Sequence, residues 1–112
     1  MNTLRNRVQL IGNLGNDPEI VNLESGKKLA KMFIATNDSY RNAQGDIVKN
    51  TEWHNVVAWG KTAEIIEKYL TKGKEVAIEG KLTSRSYEDK DGVKRYITEI
   101  NCNELVMLGK AN

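Results

Sequence analysis

The stretch TEWHNVVAWGK, residues 51–61, contains both of the chain's tryptophans, six residues apart. Read as an extended strand, it turns Trp53, Asn55, Val57 and Trp59 to one side and Glu52, His54, Val56 and Ala58 to the other. Both indoles then look the same way, and six residues of rise set them roughly 20 Å apart, too far for one core cluster and suited to a long surface track. Two tyrosines extend the set: Tyr40 in the polar segment before this strand, and Tyr87 at the hairpin end of a later strand. Thr83, Arg85 and Tyr87 are expected on the outward side of that later strand, placed beside the tryptophan strand. The result is a row of aromatic platforms interleaved with cations and amides. Such a surface fits a single-stranded nucleic acid, because every base has a π-face that stacks whatever its identity, while Lys and Arg follow the phosphates. Arg5, Arg7, Lys31, Lys49, Lys61, Lys81, Arg85, Lys94 and Arg95 are the candidate phosphate contacts. At least half of these are expected to be ordinary solvated charge.

Composition limits how such a surface could work. Lys and Arg number 17 against 15 Asp and Glu, a formal charge of +2. Charge that small does not hold a polyanion unaided, whereas stacking contributes about 1–3 kcal/mol per base and would outweigh it. With 39% hydrophobic and 29% charged residues, the 112-residue chain reads as folded, with residues 1–112 forming one domain. Cys102 is the single cysteine, which excludes an internal disulfide or a cysteine-cluster metal site and fits a reducing compartment. No apolar run approaches the roughly 20 residues of a membrane span, and MNTLRNRV lacks the apolar core of a signal peptide, so the cytoplasm is expected.

Catalysis finds little support in the residues. No nucleophile, base and orienting group recur at a recognisable spacing, and no cofactor or metal site is expected. GKTAEII, residues 60–66, echoes the end of a phosphate-binding loop, but the Gly required five positions before Gly60 is Asn55. His54 points away from the tryptophans and has no second ligand nearby, so packing or a subunit contact is its expected role.

The elements that position these residues can be read from spacing. Leu4–Leu14 alternates as a strand, with Leu4, Val8, Leu10 and Leu14 on one face and Gly12 marking a bend on that same face. Gly15, Asn16, Asp17 and Pro18 close it, a short strand spans Glu19–Leu23, and a longer one Lys28–Thr36. Residues 37–50 are polar, hold a Gly and read as a long hairpin loop. After the tryptophan strand, Thr62 is expected to cap a helix with Ala63, Ile66, Tyr69 and Leu70 at helical spacing and Gly73 at C′. A strand from Glu75 to about Tyr87 places Val76, Ile78, Gly80 and Leu82 inward and Glu79, Lys81, Thr83, Arg85 and Tyr87 outward. Asp91 and Gly92 turn it into a last strand, Val93–Cys102, and the apolar tail Leu105–Leu108 is expected to pack back on the domain. With the tryptophan strand counted as the third, the order strand, strand, strand, helix, strand, strand predicts an all-β fold with one helix. It is that of a five-stranded OB-fold barrel with the helix between strands three and four, whose exposed face and loops bind oligonucleotides or sugars.

Three segments then carry a family resemblance. EWHNVVAWGKTAEIIEKYLTKGKEVAIEGKL, with NRVQLIGNLGNDPE and ATNDSY, closely resembles the bacterial single-stranded DNA-binding proteins, in order and over about Leu4 to Leu108. The resemblance implies an OB-fold that coats single-stranded DNA without sequence preference in replication, recombination and repair, usually as a homotetramer. It places the family's stacking aromatics on Tyr40, Trp53, Trp59 and Tyr87, and gives His54 a subunit contact. Members often have tryptophan at the first and last of these positions and phenylalanine at the third. Tyr40, Tyr87 and Trp59 keep a flat ring at each, so stacking should persist with altered strength. The chain ends at GKAN, without the family's Gly, Pro and Gln-rich tail and acidic tip, so recruitment of replication and repair partners through that tip is not expected. Two other readings stay open here: a dimeric OB-fold primosome accessory that binds a helicase, and a purely protein-binding OB module.

Overall fold

The computed structural model describes residues 5–109. Its strands are β1 (Val8–Leu14), β2 (Glu19–Asn22), β3 (Lys28–Arg41), β4 (Ile47–Trp59), β5 (Glu75–Glu88) and β6 (Lys94–Met107), with helix α1 (Gly60–Tyr69) between β4 and β5. Neighbours run β1-β5-β6-β4-β3-β2, and a further pairing of β1 with β3 closes the sheet on itself. The closed wall is therefore β1, β5, β6, β4 and β3, a five-stranded OB barrel with the helix between its third and fourth strands. The short β2 lies outside it as an extra strand on β3.

Alternation explains the wall. Ala30, Met32 and Ile34 of β3, Val56 and Ala58 of β4, Val76 and Ile78 of β5 and Ile100 of β6 point inward and are buried. Ala63, Ile66 and Leu70 of the helix side close one end of the same core. Truncating Ile66, which has no exposed surface, removes transfer energy and leaves a cavity, a loss of about 2–5 kcal/mol. Closing so few strands brings backbones together where β1 leaves β5 for β3. A Cβ on Gly12 would stand 2.3 Å from the Ala35 carbonyl oxygen, and one on Gly80 would stand 2.2 Å from that of Asn101. These are the bends that the sequence places at Gly12 and Gly80. At Gly80 the β5–β6 register shifts, from Glu79 opposite Glu104 to Gly80 opposite Cys102, leaving Asn103 as the extra residue of a bulge.

Several boundaries differ from the sequence reading. β1 begins at Val8, Arg5 to Arg7 precede it, and Leu4 lies outside the described residues. Residues 37–50 are mostly strand, since β3 and β4 pair without interruption from Leu29 opposite Trp59 to Arg41 opposite Ile47. Helix α1 starts after Trp59, not at a Thr62 cap, and Gly73 belongs to the turn beyond the Leu70 cap. There the Gly73 amide donates to the Leu14 carbonyl at 2.8 Å. Tyr69 faces outward, and so does Leu82, 48% exposed although its partner Ile100 is buried; farther on, from Ser84 opposite Thr98, β5 and β6 run as a largely exposed two-stranded arm. The tail from Leu105 does return to the domain, as strand: Met107 pairs with Val76.

Candidate functional site

Register decides which side chains share a surface. Trp53 lies opposite Ala35, Asn55 opposite Phe33, Val57 opposite Lys31 and Trp59 opposite Leu29, and residues paired in this way project from the same face. Because Met32 with Val56 and Ala30 with Ala58 fill the core, the tryptophan row is the outer face of the wall. Trp53 is 60% exposed and Trp59 44%. The corner after β1 supports Trp53 from below: a Cβ on Gly15 would fall 2.2 Å from Cζ3 and 2.8 Å from Cη2 of the indole. Only glycine lets the ring rest there.

β6, not β5, lies beside β4, with Val56 opposite Ile100 and Val57 opposite Asn101 in parallel register. The outer face therefore continues from Asn55 to Glu99 of β6 before reaching Thr83 and Arg85 of β5. Glu99 is only 8% exposed. Both its oxygens are taken by Arg85, Nε to Oε1 at 3.0 Å and Nη2 to Oε2 at 3.3 Å. That fork holds the guanidinium more firmly protonated than usual and satisfies a carboxylate that would be costly to bury alone. Between the fork and β3 lies a groove of about 180 Å³ lined by Asn16, Lys31, Phe33, Asn55, Arg85 and Glu99 among others.

The two tyrosines sit on the arms. Tyr87 is exposed near the end of β5, opposite Arg95 and on the same outward register as Arg85. Tyr40 is exposed on β3 opposite Val48, in the register that continues from Ile34 and His54. It thus stands on strand, not in a loop, and on the other face of the β3–β4 ribbon from Trp53. Half-buried His54 has Nε2 3.0 Å from the Thr36 hydroxyl.

Ion pairing sorts the candidate cations. Arg7 meets Glu79 at 2.6 Å, Arg95 meets Asp89 at 2.9 Å, and Arg85 meets Glu99. The carboxyls of Glu79 and Asp89 are lowered accordingly, Glu79 first by the Gln9 amide and then by Arg7, Asp89 first by Arg95. Among the described residues, Arg5, Lys31, Lys49, Lys61, Lys81 and Lys94 form no ion pair; Lys94 instead stands 5.6 Å from the Tyr96 ring centroid. Sequence reasoning missed Phe33, Gly15 and Glu99. Continuing the Ala30, Met32, Ile34 alternation would have turned Phe33 outward, whereas the Gly15–Trp53 and Glu99–Arg85 contacts join residues far apart in the chain.

Comparison with known proteins bears on this surface. The model of the single-strand binding protein family matches residues 5–108. The chain is 48% identical over 105 residues to single-stranded DNA-binding protein 1 of Chlorobaculum tepidum, covering 93% of this chain and 65% of that protein, so it spans just under two thirds of that relative's length. It is 45% identical over 106 residues to the Xylella fastidiosa protein of the same name, covering 94% and 78%. The solved Plasmodium falciparum SSB complex with ssDNA matches with a TM-score of 0.86 at 32% identity, over 97% of this chain and 100% of that one.

Proposed function

Because the chain belongs to the single-strand binding protein family, we propose that it binds and protects single-stranded DNA without sequence preference in replication, recombination and repair. Bases stack on Trp53, Trp59, Tyr87 and Tyr40, and phosphates meet the unpaired lysines and Arg5. The observation that carries this reading is the pair of indoles standing bare on one outer face of the barrel. Arg7, Arg85 and Arg95 are engaged with carboxylates, so they contribute to phosphate binding only by leaving those partners. The proteins named by the comparison bind single-stranded DNA, which favours this over the helicase-binding alternative.

The protein acts as a binder rather than a catalyst, in the cytoplasm; no helix among the described residues is long and apolar enough to cross a membrane. We further propose a homotetramer. Ile11, Ala77 and Val106 align across β1, β5 and β6 by register, and Ile11 and Val106 are well exposed, an apolar row suited to a second copy. His54, on the other side of β4, would serve a subunit contact. Light scattering reads the mass directly; a monomer would rule the tetramer out.

Titrating intrinsic fluorescence with poly-dT tests the binding. Emission is expected to fall strongly, and Trp53→Ala and Trp59→Ala each to weaken binding by about 1–3 kcal/mol per stacked base while leaving the fold intact. An unchanged spectrum at saturating poly-dT would refute the reading.

A further inference from the structure

Phe33 stands on the tryptophan face and has no role in the binding described so far. The residue is 48% exposed although the core lies one residue away on either side, at Met32 and Ile34. Register places it opposite Asn55, one step along the face from Ala35, the partner of Trp53, and two steps from Leu29, the partner of Trp59. It therefore occupies the gap of roughly 20 Å between the indoles. Diagonal neighbours on one face of an antiparallel pair lie about 7–8 Å apart, within reach of large rings. Its backbone is fixed on both sides: the amide donates to Asn16 Oδ1 at 3.1 Å, and the carbonyl accepts from the Gly15 amide at 2.9 Å. Gly15 also underlies Trp53, so one corner of the chain sets both rings.

In front of the ring lies the groove whose other walls include Asn55 and the Arg85–Glu99 fork, with Lys31 at its lining. The Asn55 amide makes no hydrogen bond among the described residues, and a primary amide offers donors and an acceptor together. We propose that Phe33 is a further stacking platform: a nucleobase lies on its ring in this groove with its edge toward the Asn55 amide. An amide pairs with the edge of any base, so the site adds contact without imposing a sequence. The strand then runs from Trp53 over Phe33 toward Trp59 without a gap. This inference rests on the DNA-binding reading above.

Oligo-dT affinity of Phe33→Ala, Phe33→Leu and Phe33→Trp, measured beside Trp53→Ala, tests it. Phe33→Ala and Phe33→Leu should each lose about tenfold, within the range of roughly 5- to 150-fold that one stacked base represents. The slope of log K against log salt should stay that of the unsubstituted protein, because no phosphate contact is removed. Phe33→Trp should keep the affinity and increase total quenching at saturation, a response that a merely structural residue would not give. Leucine retention of affinity within twofold, no added quenching in Phe33→Trp, or a change of solution mass in place of affinity would overturn the proposal. Should the unsubstituted protein itself fail to bind oligo-dT, it is the broader reading that falls; should Trp53→Ala weaken binding and Phe33→Leu not, only this inference does.

Discussion

Trp53 owes its position to a residue with no side chain. The indole covers Gly15 closely enough that even a methyl group must displace it. Gly15→Ala should therefore weaken oligo-dT binding several-fold while the melting temperature changes little, since the half-exposed ring can tilt into solvent; equal affinity for the two proteins would contradict this. The facing of Trp53 and Trp59 was legible in the sequence, because strand alternation is a local property. The roles of the arginines were not. Whether Arg85 is free or paired depends on Glu99 lying two residues from its cross-strand partner Ile97, which only the β5–β6 register decides. The same holds for Arg7 and Glu79, joined across β1 and β5.

At the scale of elements, the two arms explain the largest misreading. Inside the barrel one face of each strand is dry and the sequence alternates. Beyond it, in residues 37–41 with 47–51 and in 84–88 with 94–98, much of both faces is wet, so the sequence becomes polar and loses its period. A polar segment of that kind reads as loop. The turns at Gly26 and Gly92 were clearer; Leu23–Lys27 and Asp89–Val93 share one hydrogen-bond pattern with Asn42–Asp46, each with a glycine at the fourth position near φ +77 to +86. Asp89 organises the turn before β6, its side chain accepting from the Asp91 and Val93 amides and from Arg95. Asp89→Ala should speed amide hydrogen exchange at Asp91 and Val93 and leave the barrel core protected. Acid should act in the same direction. With the Asp89 carboxyl lowered from its ordinary 3.8 in the folded state, its contribution is present above that pH and lost as the pH falls through the lowered value. Unchanged exchange in Asp89→Ala would show that the arm does not depend on this carboxylate.

On the proposed reading, the whole molecule joins a nearly neutral chain to a polyanionic ligand. A formal charge of +2, with Arg7, Arg85 and Arg95 tied to carboxylates, leaves little net positive charge to hold a polyanion. The outer wall instead offers Trp53, Phe33 and Trp59 in succession, and Tyr87 continues the platforms onto an arm. Affinity should thus come chiefly from stacking, which salt screens little, and only secondarily from counterion release. The order of elements along the chain and the helix position were legible because turn signals and alternation recur, whereas the neighbour of β4 in the wall, β6 and not β5, was not. The closing β1–β3 pairing was not legible; the sequence marked only a bend at Gly12, where the β1 backbone meets Ala35 of β3. The most direct test is the salt dependence of oligo-dT affinity. A shallow slope of log K against log salt, with tight binding retained at moderate salt, is the predicted result; a steep slope with binding abolished there would place the affinity in the phosphates and contradict the account.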